Sequence, residues 1–192
     1  MKQEPSTLLL DHLHLLPKGR VLDVAMGKGR NTLYLADNGF DVEGVDIDKK
    51  AVSACIAEAE TRDLRVNARV EDLTDYSISP NSYDVILCFN YLQRDLIPQM
   101  KEGLREGGVV IYQTFLIDQH IKFGKPKHRE YCFEHNELLS FFGDFRIIYY
   151  KEGFVSEEKA VASLVAQKKK WLFCSTKEQM TRMLINRFNL NF

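Results

Sequence analysis

Residues 20–46 read RVLDVAMGKGRNTLYLADNGFDVEGVD, which divides into a strand, a glycine turn, a helix and a second strand ending in an acid. Val21, Leu22, Val24 and Ala25 form a short apolar run that enters the turn at Gly27 and Gly29. Glycine has no β-carbon, so backbone N–H groups in such a turn can approach a ligand at the N-terminus of the following helix. Asp46 closes the next strand, about 20 residues on, where a carboxylate can accept both hydroxyls of a ribose. The arrangement points to a site for a nucleotide-type cofactor. A tight strand-to-helix turn followed by a solvated acid uses the same letters, and the rest of the chain has to separate the two.

Two families use this unit. A dinucleotide fold wants a third glycine at the position of Thr32, where helix and sheet pack closely around a pyrophosphate. Residues 21–31 instead resemble motif I of the class I S-adenosylmethionine-dependent methyltransferases. The resemblance makes Asp23 the motif's acid and sets Ala25, Gly27 and Gly29 around the methionine part of the cofactor, with Asp46 and Ile47 at the end of the next strand. Met26 departs from the family, which usually has a small residue or Cys there. The likeness continues in register. Residues 65–70 read as a third strand, followed by Glu71-Asp72-Leu73, where the family places an acid against the adenine amine and an apolar residue against the ring. A carboxylate only accepts hydrogen bonds and the exocyclic amine can donate them. Residues 81–90 look like the family's fourth strand, with Phe89 and Asn90 at its cofactor-facing end, and residues 104–111 like its fifth, entered through Gly107-Gly108.

The expected fold is α/β: a Rossmann-like, mostly parallel seven-stranded sheet with helices on both faces and its last strand antiparallel. Ser6 can cap a first helix running to about Leu16, whose Leu8, Leu9, Leu13 and Leu16 recur at helical spacing. Further helices are expected at 30–38, 48–61 and 95–104. Beyond the fifth strand, residues 136–142 read as a short helix, 145–151 as a strand and 161–167 as its antiparallel partner. The 192 residues suit one domain, with a core of about 6–168 and a C-terminal extension of 169–192. In that extension Trp171-Leu172-Phe173 precede an amphipathic stripe of Met180, Met183, Leu184 and Phe188, which packs on its own domain or makes a dimer contact.

The net charge of −1 gives no general case for binding nucleic acid or a membrane surface. No apolar run approaches the roughly 20 residues that span a bilayer, and the Met-Lys-Gln-Glu-Pro start lacks a signal-peptide core. A cytoplasmic monomer or homodimer is expected. Cys55, Cys88, Cys132 and Cys174 are scattered, without a metal-ligand interval, and read as reduced thiols with no metal.

Methyl transfer is an in-line displacement on a sulfonium, so the protein's task is mainly alignment and desolvation. In an open α/β sheet the reaction belongs at the carboxyl ends of the strands, around the topological switch point. Loops after the fourth and fifth strands then hold the acceptor, which brings in Tyr91, Arg94, Phe115, Lys125 and Tyr131. Residues 117–133 form the most basic and aromatic stretch and read as a long loop, either a lid that clamps an anion or a solvated surface run. His120 and His128 are candidate general bases, and Arg129 joins Lys125 and His128 in holding an anionic acceptor. A thiolate or chalcogen oxyanion needs no base. His12, His14 and His135 read as ordinary helix residues.

Within the methyltransferases, residues 27–36, 131–139 and 145–152 are similar to the tellurite-resistance and thiopurine-methyltransferase-like group. That group methylates small soft nucleophiles or oxyanions. Two alternatives stay open on these residues: an NAD(P)-dependent oxidoreductase, which shares the glycine turn and Asp46, and a noncatalytic S-adenosylmethionine-binding protein.

Overall fold

The structure is a computed structural model that describes residues 4–170. The positions Trp171, Leu172, Phe173 and Cys174 and the amphipathic stripe from Met180 to Phe188 lie outside the described residues. Apolar runs in the middle of the chain become strands buried on both faces, as parallel sheets require. The strands are β1 (Arg20–Val24), β2 (Asp41–Asp46), β3 (Val66–Val70), β4 (Tyr83–Phe89), β5 (Leu104–Phe115), β6 (Arg146–Ser156) and β7 (Lys159–Gln167). They form one seven-stranded sheet in the order β3-β2-β1-β4-β5-β7-β6. β7 runs antiparallel to both of its neighbours, β5 and β6, and the other pairs are parallel. The strand order reverses between β1 and β4, which places the switch point beside the glycine turn.

The helices are α1 (Thr7–His12), α2 (Arg30–Asp37), α3 (Lys49–Thr61), α4 (Leu96–Gly103), α5 (Ile117–Phe123) and α6 (Glu137–Phe141). On one face, α4 and α6 bury Leu96, Ile97, Met100 and Leu138 against Leu22, Val24, Ile86 and Val110. On the other, α1 and α2 bury Leu8, Leu9 and Leu35 against Val21, Val85, Leu87 and Ile111. Asp48 starts α3 by accepting from the N–H groups of Lys50 and Ala51, an N-cap worth about 1 kcal/mol. Residues 71–82 contain no helix; from this segment Leu73 and Ile78 are buried in the core of the first face, and polar contacts lie beside them. There the buried Glu43 carboxylate meets Arg20, Arg69 and the Tyr76 hydroxyl. Burial alone would raise its pKa, but the Arg69 contact outweighs that and holds it below the usual range.

Three expectations are corrected. Ser6 precedes α1, yet its side chain makes no cap; its backbone N–H instead donates to Asn31 Oδ1 at 2.9 Å, fixing the chain start on α2. α1 ends at His12 and a 3-10 turn, Leu13–Leu15, completes the expected span. Residues 117–133 are not one long loop: α5 occupies the first seven, and a parallel bridge between Leu116 and Phe133 pins the ends together. No helix among the described residues is long and apolar enough to cross a membrane.

Candidate cofactor and acceptor site

The glycine turn and Asp46 are fastened to each other. Gly27 N–H donates to Asp46 Oδ2 at 2.7 Å, and Asp48 N–H donates to Asp46 Oδ1 at 2.9 Å. Gly27 has φ +57°, and a β-carbon there would project into open space, so the turn is open on the side a ligand would take. Gly29 has φ +74°, and its β-carbon would lie 2.2 Å from Cys55 Sγ, so only glycine lets α2 start this close to α3. Ala25 also sits in the left-handed region, at φ 54°, which costs about 1–2 kcal/mol for a residue with a side chain. Such strain clusters where a backbone is held for function. Ile47 lies 65% exposed beside Asp46.

Behind the turn, the residues that depart from the two family patterns fit one another. Thr32, where a dinucleotide fold wants glycine, donates its hydroxyl to the buried Asp23 at 2.7 Å. Burial pushes the Asp23 carboxyl up to about 7, while the Thr32 hydroxyl and the Arg30 charge pull it back. The Met26 side chain turns away from the rim into a cluster with Leu33, Val52 and Cys55. Gly44 on β2 makes room for it, since a β-carbon there would lie 2.3 Å from Met26 Sδ.

The turn after β3 joins the same rim. Glu71 N–H donates to the Asp46 carbonyl at 3.1 Å. Asp72 is exposed and its Oδ1 accepts from the Thr74 N–H and hydroxyl, contacts that hold its carboxyl below the usual range. Leu73 is buried, and its carbonyl accepts from Gln93 Nε2 at 3.2 Å while Gln93 Oε1 accepts from the Tyr91 hydroxyl at 2.6 Å. The loop after β3 is thereby tied to the loop after β4. The Phe89 side chain is buried among Leu8, Val21 and Leu35, away from the rim, so only its backbone can face a cofactor. Asn90 is exposed at φ 56°, with its N–H on the Gln113 carbonyl at 2.8 Å.

Across the cleft the charges are largely engaged. Arg94 forms a two-point contact with Glu137, at 2.6 and 3.0 Å, and donates to the carbonyls of Glu130 and Cys132. It acts as a clamp on residues 130–137 rather than as a free cation. Arg129 gives Nε and an outer nitrogen to Glu134 Oε1, at 3.0 and 2.8 Å. His128 lies edge-on to Tyr131, with 5.9 Å between ring centroids, and both are exposed, as is Lys125. His135 is not in a helix; it precedes α6 and pairs with Asp118. His120 places Nδ1 2.8 Å from the Pro126 carbonyl, so in the neutral ring Nδ1 carries the proton and Nε2 keeps a lone pair. Phe115 is half-buried at the end of β5. Cys55, Cys88 and Cys132 are free and buried.

Two residues at this edge have no signal in the motifs. Lys159, at the start of β7, reaches Asn90 Oδ1 at 3.3 Å. Gln119 on α5 is buried and bonds the backbone on both sides of Lys159. An unaccompanied lysine at the head of an otherwise small and apolar strand was the available clue.

A family profile described as "Tellurite resistance protein TehB" matches residues 6–168. The chain belongs to the TehB family. Among its relatives, the "Probable S-adenosyl-L-methionine-dependent methyltransferase TehB" of Haemophilus influenzae is 26% identical over 151 residues, which is 75% of this chain and 52% of that protein. The TehB-family chain thus spans about half the length of the curated relatives it matches. The crystal structure of TehB from Haemophilus influenzae aligns with a TM-score of 0.75 at 24% identity, over 86% of this chain and 63% of that one. A structure titled as SAM-dependent methyltransferases from Methanosarcina mazei aligns with a TM-score of 0.68 at 18% identity, over 87% and 99% of the two chains. The fold of this TehB-family member is therefore the Rossmann-like one that its glycine turn and strand order indicate.

Proposed function

We propose that this TehB-family chain transfers a methyl group from S-adenosylmethionine to a small acceptor that is an anion or a soft nucleophile. One observation carries the reading: the Asp46 carboxylate is fixed by two backbone N–H groups at the carboxyl edge of the sheet, beside an open glycine turn. A carboxylate has about four acceptor positions, so two remain for the two hydroxyls of a ribose. The family match and the methyltransferase names of its relatives support the same cofactor.

When bound, S-adenosylmethionine supplies an electrophilic methyl carbon on sulfur. The chain's residues bind and orient. Asp46 and the flanking Ile47 take the ribose, Asp72 and Leu73 the adenine, and the turn from Ala25 to Gly29 the methionine end. Asp23 stiffens that turn from below through Thr32. Asn90 and the Phe89 backbone border the transfer point. Tyr91 and Phe115 wall the acceptor side, and His120 Nε2 is the available base for an acceptor that carries a proton. Lys125, His128, Arg129 and Tyr131 form the outer approach. Thr32 argues against a nicotinamide dinucleotide, because its side chain occupies the point where a pyrophosphate-binding turn needs glycine.

The test is formation of S-adenosylhomocysteine from S-adenosylmethionine with thiols, phenols, carboxylic acids, selenite and tellurite. Turnover that depends on one of these acceptors is expected. A purified chain that retains a nicotinamide dinucleotide by mass spectrometry, with no acceptor-dependent product, would overturn the proposal.

A further inference from the structure

Resting on that reading and deepening it, we infer that Gln93 is a positioning residue for purine recognition: it locks the peptide between Leu73 and Thr74, and that peptide aims the Asp72 carboxylate at the 6-amine of adenine.

The first observation is that this one peptide is held at both ends. Its carbonyl, on Leu73, accepts from Gln93 Nε2 at 3.2 Å. Its N–H, on Thr74, donates to Asp72 Oδ1 at 2.9 Å, and the Thr74 hydroxyl donates to the same oxygen at 2.8 Å. A peptide unit is planar, so holding its oxygen also sets the direction of its N–H on the opposite side. Gln93 thereby decides where Asp72 Oδ1 sits, although the two side chains do not bond to each other.

The second is what remains on Asp72. Oδ2 has no hydrogen-bond partner among the described residues, and the Thr74 contacts hold the carboxyl below the usual range. An ionised carboxylate only accepts, so Oδ2 suits an amine and repels an oxygen placed at the same point. The Asp72 side chain is exposed, in a segment without helix. The buried Leu73 side chain pins this segment from behind, and the locked peptide gives the carboxylate its direction.

The third is how Gln93 is itself held. Its Oε1 accepts from the Tyr91 hydroxyl at 2.6 Å, and the Tyr91 carbonyl accepts from the buried Tyr112 hydroxyl at 3.1 Å. A carbonyl cannot donate, so the Gln93 amide has to turn its nitrogen to Leu73, which leaves its oxygen for Tyr91. The amide is therefore rooted in β5 and the end of β4, not in the loop that it steadies. With both ends engaged, it acts on the purine through Asp72.

The experiment is calorimetric titration, at one pH and ionic strength, of S-adenosylhomocysteine and of S-inosylhomocysteine, which carries an oxygen in place of the 6-amine. Wild type should prefer the adenine ligand about tenfold or more, the worth of one hydrogen bond to a charged group. Gln93→Leu should narrow the preference to about threefold or less by weakening the adenine ligand alone. Gln93→Glu should do the same, because its carboxylate still accepts from Tyr91 but cannot donate to Leu73. The double variant Asp72→Ala/Gln93→Leu should match Asp72→Ala alone, as a residue acting through that carboxylate requires. Gln99→Leu is the control: Gln99 accepts from the Ile78 N–H at 3.2 Å in the same segment, away from the locked peptide, and should leave the preference at the wild-type value. The inference is overturned by an unchanged preference in both Gln93 variants, by equal losses for the two ligands, by a further loss in the double variant, or by the same narrowing in Gln99→Leu. Equal binding of the two purines by wild type also overturns it. If the wild-type chain binds neither ligand, it is the methyltransferase proposal that falls.

Discussion

Replacing Asp46 with alanine should act twice, and the two effects can be separated. In the free protein its carboxylate accepts from Gly27 N–H at 2.7 Å and Asp48 N–H at 2.9 Å. Hydrogen bonds to a charged group contribute about 1.5–3 kcal/mol each, and both donors here can turn to water, so the combined stability loss should be about 1–2 kcal/mol. In the complex the ribose hydroxyls lose a charged acceptor, which should cost a further 1–3 kcal/mol or so, about 5- to 150-fold in Kd. Urea unfolding reads the first effect and titration calorimetry with S-adenosylhomocysteine the second. The ribose origin of the second can be checked with 5′-methylthioadenosine, which keeps the sugar and lacks the amino-acid end. Equal losses for the two ligands are expected. A larger loss for S-adenosylhomocysteine would mean that Asp46 acts through the glycine turn instead. A folded Asp46→Ala protein with wild-type affinity for both ligands would refute the placement of the cofactor.

Asp72→Ala should weaken both adenosine ligands by less than Asp46→Ala does, because water replaces part of an exposed contact; unchanged affinity by calorimetry would put the adenine elsewhere. Burial lifts Asp23 to about 7 in the folded chain, against about 4 in the unfolded one, so its contribution to stability is full below pH 4 and is lost as pH rises through 7. The three-unit difference sets an upper bound of about 4 kcal/mol, and Asp23→Asn should remove that part of the decline between about pH 4 and pH 7; an identical pH profile in urea unfolding would contradict it. Arg94→Ala leaves the half-buried Glu137 unpaired and frees residues 130–137, which should cost about 2–3 kcal/mol of stability with little change in S-adenosylhomocysteine affinity. A loss of cofactor affinity without a loss of stability would assign Arg94 to the binding site instead.

The part of the candidate site around the glycine turn was legible as local structure because its chemistry is local. Gly27, Gly29 and Asp46 lie within one strand-turn-helix-strand unit, and the turn's demand for positive φ is written in the residues themselves. The sheet was legible for a similar reason, since each apolar run is long enough to be a strand and the hairpin near residue 157 needs only local pairing. The acceptor side was not. The charges of residues 117–137 suggest a basic clamp, but which cations remain available depends on partners fixed by tertiary structure. Arg94 finds Glu137, 43 positions away, and His135 finds Asp118, 17 positions away. Lys159 is 69 positions from Asn90 and 40 from Gln119's neighbourhood on α5, so no spacing in the sequence announces the contact. Met26 shows the same limit: its fit depends on Gly44, a residue on the adjoining strand whose reason for being glycine appears only once the strands pair.

The measurement that bears most directly on the central claim is a crystal structure of the chain grown with S-adenosylhomocysteine. The account predicts both ribose hydroxyls within about 3 Å of the Asp46 carboxylate, the adenine beside Asp72 and Leu73, and the thioether sulfur at the switch point facing Asn90. A ligand bound with its ribose turned away from Asp46, or seated anywhere other than the carboxyl edge between β1 and β4, would contradict it.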